Sequence, residues 1–186
     1  MSGFSSYDFT AVEEAYRTFA PQIKTAAFRD TLDQYYTHMQ RLRPGNPAPA
    51  FTLKNREGKD VSLSDFRGKV VYLDFWGVYC GPCINDIKNY IPQLHNRYKN
   101  KDVVFLNVCV DVAEKEWKSA VQKLGLTGIN LLAEGWDRNP ACKAYKVDAI
   151  PHYVLIDKAG NLVQYNADRP YTLLEENENA IDRLLQ

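Results

Sequence analysis

The chain has 186 residues, 45% hydrophobic and 25% charged, with 23 basic side chains against 23 acidic ones. That length suits one domain plus an extension, and the composition is that of an ordinary soluble globular protein. The balanced charge leaves no surplus to hold phosphate backbones or anionic lipid, which argues against nucleic-acid and membrane-surface partners. No apolar run approaches the roughly 20 residues of a membrane-spanning helix. Met1–Tyr7 has neither the charged start nor the apolar core of a secretory signal. Four cysteines are too few for a disulfide scaffold in a chain this long, so paired-cysteine chemistry is the first reading.

In chain order, residues 8–42 carry helical spacing. Phe9, Val12, Tyr16 and Phe19 step by three or four; after Pro21, so do Phe28, Leu32, Tyr35, Met39 and Leu42. Each stripe predicts one apolar helical face. Packing on the main domain is the plain reading, and a partner or dimer surface the sharper one. The run RPGNPAPAF (43–51) stops the second helix. Short strands fit Phe51–Leu53 and Val61–Leu63 across the turn NREGKD. KVVYLDFW (69–76) reads as a strand buried on both faces, followed by a helix from about Cys80 to Tyr98. A second buried strand (102–111), a helix (114–124) closed by Gly125, a short strand (129–132) and a helix (139–145) come next. Strands at 152–157 and 162–166, joined at KAG, and a helix over Leu173–Leu185 end the chain. Strand–helix–strand order predicts parallel pairing in the middle, and the closing hairpin adds antiparallel strands. The expected fold class is therefore α/β, a central mixed sheet flanked by helices.

The chemistry concentrates in VVYLDFWGVYCGPCINDI (70–87). A strand, a sharp turn and a helix place Cys80 at the helix N-terminus. Free backbone N–H groups and the positive end of the helix dipole favour its thiolate there, the species that attacks disulfides. Cys83 follows one turn later on the same face, so the two sulfurs can meet. Pro82 sits where a missing N–H costs little, and Gly81 lets another chain approach. A zinc site lacks a second pair at ligand spacing, since Cys109 and Cys142 are isolated. Bracing is a poor role for so short a loop. A peroxide-reducing cysteine enzyme would suit PAPAFTL, but it calls for a hydroxyl residue three positions before the cysteine, where Gly77 stands. Asp74, an acid inside an apolar strand, is hard to ionise and is a candidate acceptor for the Cys83 proton; a solvated or hydrogen-bonded strand residue is the bland alternative.

DFWGVYCGPC with the later AIPHYVLID resembles the thioredoxin superfamily, and PGNPAPAFTLKNREGKDVSLSDFRGKVVYLDFW narrows the resemblance to TlpA/ResA-like thiol–disulfide oxidoreductases. The resemblance implies a thioredoxin-like domain over 44–186, opening with a β-hairpin, behind a helical extension over 1–43. It implies that Cys80 attacks, Cys83 resolves, and Asp74 is the buried carboxylate of the fold. It places Trp76 beside the active site and Pro151 in a cis-proline loop facing the disulfide, with the Ile150 backbone offered to an extended substrate. With Tyr79, Gly81, Pro82 and His152 these make up the expected substrate-binding surface.

Some positions depart from the family pattern. Asp86 stands where Glu is usual, and its shorter side chain makes it a weaker candidate. The usual helix proline is replaced by Lys88, with Pro92 the alternative kink. Tyr79 replaces a tryptophan, which alters the docking surface and not the chemistry. His152 follows the cis-proline and either tunes Cys80 by hydrogen bonding or charge or is a partly exposed strand residue. His38 and His95 read as surface histidines, Cys109 as a buried small hydrophobe, and a Cys109–Cys142 disulfide is not readable from sequence.

The expected function is dithiol–disulfide exchange with protein substrates, as a reductant recharged by an electron-donor protein. No cofactor or metal is needed beyond the Cys80–Cys83 pair. The resemblance implies work outside the cytoplasm, periplasmic or otherwise exported, with a cytoplasmic location as the alternative. The competing functions are a non-catalytic adaptor that binds a partner through its helical extension and a peroxiredoxin-like peroxidase.

Overall fold

The computed structural model of the chain describes residues 9–186; residues 1–8 of the expected extension lie outside the described residues. Its centre is set by the two longest strands, β3 (Val70–Trp76), buried at every position, and β4 (Val103–Cys109), buried at all but its first. Such continuous runs need helices on both faces of the sheet. Around them lie β1 (Thr52–Asn55), β2 (Asp60–Ser62), β5 (Ile129–Leu132), β6 (His152–Ile156) and β7 (Leu162–Gln164). The order across the sheet is β2-β1-β5-β4-β3-β6-β7. β3, β4 and β5 are parallel, whereas β6 and β7 on one side and β1 and β2 on the other are each added through an antiparallel pairing. The mixed sheet expected from the alternation of elements is the one observed.

The two faces of β3 do different work. Val70, Tyr72, Asp74 and Trp76 point to one face, covered by α3 (Gly81–Asn89), α4 (Ile91–Arg97), α5 (Glu114–Leu124), α7 (Pro170–Glu175) and α8 (Ala180–Leu185). Val71, Leu73 and Phe75 point to the other, covered by α6 (Pro140–Ala144) and by the end of α2 (Ala26–Arg41). Gly125 ends α5 in the left-handed conformation at φ 59°, which glycine adopts without a Cβ clash.

Two expected helices are broken. The helix predicted over 80–98 divides at Tyr90, and Pro92, in the first turn of α4, has no N–H to continue the α3 ladder. The helix predicted over 173–185 is likewise two. Asn179 restarts it as α8 by accepting the Ile181 and Asp182 N–H groups, a capping box that satisfies donors a continuous helix would have bonded to carbonyls.

The extension is only partly as expected. α1 (Phe9–Phe19) and α2 pack together through the stacked rings of Tyr16 and Tyr36 and an Arg43–Glu13 ion pair of 2.7 Å. Phe9, Met39 and Leu42 enter the core of the second sheet face. The far ends of both stripes do not dock: Phe19 and Phe28 are 60% and 69% exposed. The half of the hairpin nearest the domain is therefore part of its core. Leu42→Ala should lower stability by about 2–5 kcal/mol in urea denaturation, the usual cost of a core leucine, whereas Phe28→Ala should change it by less than about 0.5 kcal/mol.

Candidate active site

The site begins where β3 runs out. Gly77 follows Trp76 at a place with no room for a side chain: an added Cβ would lie 2.5 Å from Asp111 Oδ2 and 2.6 Å from Ile150 Cδ1. Asp111, just past the end of β4, accepts the N–H groups of Val78 at 2.9 Å and Tyr79 at 3.1 Å. Its carboxylate pins the turn that delivers Cys80. Cys80 is the N-cap of α3, and its Sγ accepts the Cys83 N–H at 3.2 Å. The two cysteines form a disulfide with a Cα–Cα separation of 5.2 Å. The sulfurs are unequal in access, since Cys80 is half-buried and Cys83 is 1% exposed. Gly81 and Pro82 between them are exposed.

The expected substrate-binding residues separate into two groups. Tyr79 is 76% exposed beside Cys80, with its hydroxyl held by Glu116. The Ile150–Pro151 bond is cis, both residues are half-buried, and the Ile150 side chain abuts Gly77, so this loop lies against the turn before Cys80. Trp76 is not on the docking surface. It points inward from β3 with no exposure and packs in one cluster with Cys83, Ile87 and Trp117, backing the disulfide from inside. His152 pairs across the sheet with Phe75, on the face opposite Trp76. It sits between Phe75 and Tyr165, and burial pushes its pKa down to about 4. Its ring is neutral at pH 7, so no charge from it reaches Cys80 there. A cleft of about 410 Å³ lies between α2 and residues 142–148, beside the chain leading to Pro151, and is lined by neither cysteine of the disulfide.

Under α3 two acids are buried together. Asp74 is 2% exposed, and neither of its oxygens has a hydrogen-bond partner among the described residues. Burial raises its pKa well above the carboxylate range; the charge on Asp86 raises it further, and Arg169 opposes both. Asp86, the weaker candidate from sequence, is fully buried. Its Oδ2 accepts Tyr153 Oη at 2.9 Å and Arg169 through Nε at 3.0 Å and Nη2 at 2.8 Å. Tyr72 stacks on Tyr153 at 5.3 Å and donates its hydroxyl to the Asp168 carbonyl. Burial keeps both phenols protonated.

Other candidates fall elsewhere. Cys109 and Cys142 are free thiols in clusters on opposite faces of the sheet, so they do not pair. Burial pushes Cys142 up to about 11 and Cys109 higher still. His38 and His95 are not plain surface residues. His38 Nε2 meets the Ala144 carbonyl at 3.0 Å, and His95 stacks on Phe105 at 4.0 Å, where burial lowers its pKa to about 4. Among the described residues no group of His, Cys, Asp or Glu could hold a metal, and no helix is long and apolar enough to cross a membrane. Sequence reasoning missed Asp111, Tyr153 and Arg169. Asp111 had a signal: an acid at the carboxyl end of a buried parallel strand, where such sheets gather their functional groups. Arg169, 83 residues from its partner, had none.

The raised pKa of Asp74 has a stability consequence. Its folded value lies above the unfolded value of about 3.9, so the folded chain holds a proton the unfolded chain has lost. Stability from this group is full below pH 4 and is lost as pH rises toward the folded pKa. Asp74→Asn does not titrate. Its free energy of urea unfolding relative to the wild type should climb as pH rises above about 4, by at most about 1.4 kcal/mol per pH unit.

A model of the Redoxin family matches residues 43–184. The thiol-disulfide oxidoreductase ResA of Bacillus cereus is 32% identical over 150 residues, 80% of this chain and 84% of that protein. ResA of Geobacillus kaustophilus is 33% identical over 130 residues, 70% of this chain and 72% of its own. The thioredoxin domain of a thiol-disulfide oxidoreductase from Bacteroides vulgatus superposes with a TM-score of 0.68 at 29% identity, covering 78% of this chain and 99% of that one. With a CxxC disulfide at the head of α3 and a thioredoxin-like sheet beneath it, the chain belongs to the Redoxin family, among its TlpA/ResA-like thiol-disulfide oxidoreductases.

Proposed function

We propose that the chain reduces disulfides in client proteins. The observation that carries this reading is the inequality of the two sulfurs: Cys80 caps α3 and is accessible, while Cys83 is buried behind it. In the dithiol form, the helix N-terminus and the Cys83 N–H favour a Cys80 thiolate. That thiolate attacks one sulfur of the client disulfide; the client S–S bond breaks, a Cys80–client bond forms, and the other client sulfur leaves as thiolate. Asp74, in its ionised form, takes the Cys83 proton as Cys83 attacks Cys80, forming the Cys80–Cys83 bond and releasing the second client thiolate. The client gains two electrons and the CxxC pair loses two. A separate dithiol protein restores the pair, and the disulfide itself is the redox group.

Tyr79, Gly81, Pro82 and the Ile150–Pro151 segment form the client surface in this reading. Tyr79, Gly81 and Pro82 adjoin Cys80 in the chain, the Ile150 side chain abuts Gly77 just before it, and an extended client strand would pair with the Ile150 backbone. Trp76 supports the site from within. The missing space at Gly77 weighs against a peroxidase, because the hydroxyl side chain that reading needs would collide with Asp111 and Ile150. By family resemblance the site of action is outside the cytoplasm, periplasmic or otherwise exported, and protease access in spheroplasts of the native host separates this from a cytoplasmic location.

The wild type should accelerate insulin reduction by dithiothreitol, and Cys80→Ser should abolish the acceleration; an inactive wild type would favour the adaptor reading. Cys83→Ser should accumulate a mixed disulfide with the physiological client, identifiable by mass spectrometry. Asp74→Asn should slow resolution by about 10²-fold while leaving the first attack nearly unchanged, in line with the usual contribution of a positioned base. Equal resolution rates in the two proteins would remove Asp74 from the mechanism.

A further inference from the structure

Asp86 is a carboxylate with no exposure, and its partners are unevenly placed. Three donors converge on Oδ2: the Tyr153 hydroxyl and two nitrogens of Arg169. Oδ1 has none among the described residues. A buried carboxylate is tolerated as an ion only when paired, and Arg169 is the cation that pairs it. Arg169 enters from the residue before α7, half-exposed, with its guanidinium 5.3 Å from the Tyr171 ring. Asp74 shares this enclosure. Interacting with it are Asp86 from α3, Tyr72 from its own strand, Tyr153 from β6 and Arg169 from the loop before α7; Asn107, beside it on β4, is uncharged.

We infer that Arg169 is a positioning residue for the resolution step, holding Asp86 as a neutralised ion so that Asp74 can become the anion that takes the Cys83 proton. The inference rests on the proton-acceptor reading of Asp74 and adds to it the group that governs it. The electrostatics agree in sign. Two carboxylates in one dry enclosure resist ionising together, and a single cation offsets one of them. Without Arg169, the one charge the enclosure tolerates stays on Asp86, which keeps its Tyr153 hydrogen bond. Asp74 then remains protonated to higher pH and resolution becomes slow at neutrality. Without the Asp86 charge the effect reverses, and Asp74 ionises more easily.

The test is stopped-flow reaction of the reduced full chain with one equivalent of Ellman's reagent from pH 5 to pH 10. The first thionitrobenzoate released reports attack by Cys80, and the second reports resolution by Cys83. Arg169→Gln should move the pH midpoint of the second phase up by about one unit, a rate about tenfold lower on the acid side that converges with wild type at high pH. Arg169→Lys, which keeps the charge, should return the midpoint to near wild type, and Asp86→Asn should move it down. Asp74→Asn/Arg169→Gln should resolve no more slowly than Asp74→Asn alone. The inference is overturned by an unmoved midpoint in Arg169→Gln, by a lysine variant that behaves like glutamine, by shifts of the same sign in Arg169→Gln and Asp86→Asn, or by additive slowing in the double variant. A merely structural Arg169 would lower the melting temperature and leave these midpoints in place. If Arg169→Gln does not fold, the lysine and Asp86→Asn midpoints carry the test. If Asp74→Asn resolves like wild type, the proton-acceptor reading itself has failed, an outcome separable from an Arg169 effect that does not depend on Asp74.

Discussion

The Cys80 sulfur takes the place of an N-cap side chain, and most of the local structure exists to put it there. A helix N-terminus needs an acceptor for its first N–H groups, usually a Ser, Thr, Asp or Asn oxygen. Here the acceptor is sulfur, bonded to the Cys83 N–H. For that to hold, β3 must stop at Trp76, the chain must turn through a residue without a side chain, and the turn must be fixed from outside. Gly77 meets the second need and Asp111 the third. The burial of Cys83 follows from the same geometry. The residue three on from the cap faces inward against Trp76 and Ile87, so one sulfur is offered to clients and the other is kept back.

That inward face carries a cost. Beneath α3 the sheet presents an acid, Asp74, in a cluster of aromatic and aliphatic side chains, and α3 adds a second, Asp86. Neither Tyr72 nor Tyr153 can supply positive charge. The structure resolves the conflict asymmetrically, giving Asp86 three donors, two of them from the Arg169 cation, and giving Asp74 none among the described residues. Of the two neighbouring carboxylates, Asp86 is partnered, while burial raises the pKa of Asp74, which has no hydrogen-bond partner among the described residues. Such divergence between adjacent acids is how one site can hold a fixed charge and a movable proton together.

What could be read from the residues followed the range of the forces involved. The strands were legible because VVYLDFW and VVFLNVC are continuous apolar runs, and sheet polarity followed from the order of elements. The Cys80–Cys83 pair and the burial of Asp74 were legible because the three residues lie within ten positions on one strand–turn–helix unit. The breaks at Tyr90 and before Asn179 were harder, since a helical stripe continues across both and the cap chemistry decides. Trp76 was misplaced on the client surface because its position along the strand says nothing of how much α3 covers it. The Asp86–Arg169 pair joins residues 83 apart, and a lone Arg-Pro dipeptide carries no sign of a buried partner.

The helical extension shows the same limit. Its stripes announced amphipathic helices, and two outcomes were open, a docked face or a free one. Both occur, at opposite ends of one hairpin, and the division follows the reach of the sheet. Met39 and Leu42 close the core with Val71, Leu73 and Phe75, whereas Phe19 and Phe28, at the other end of the hairpin, are exposed. The docked part also touches the segment that carries Pro151. His38 meets the Ala144 carbonyl, and the Lys146 ammonium lies 4.7 Å from the Tyr35 ring; Phe9 packs on Tyr165, whose hydroxyl bonds the Lys146 carbonyl. From Lys146 the chain runs through Asp148 to the cis-proline in five residues. The extension is thus joined to the exchange site through the backbone that would meet the client. An account of the hairpin as a tether alone, with the domain unchanged by its loss, would have to explain why its buried residues support that loop.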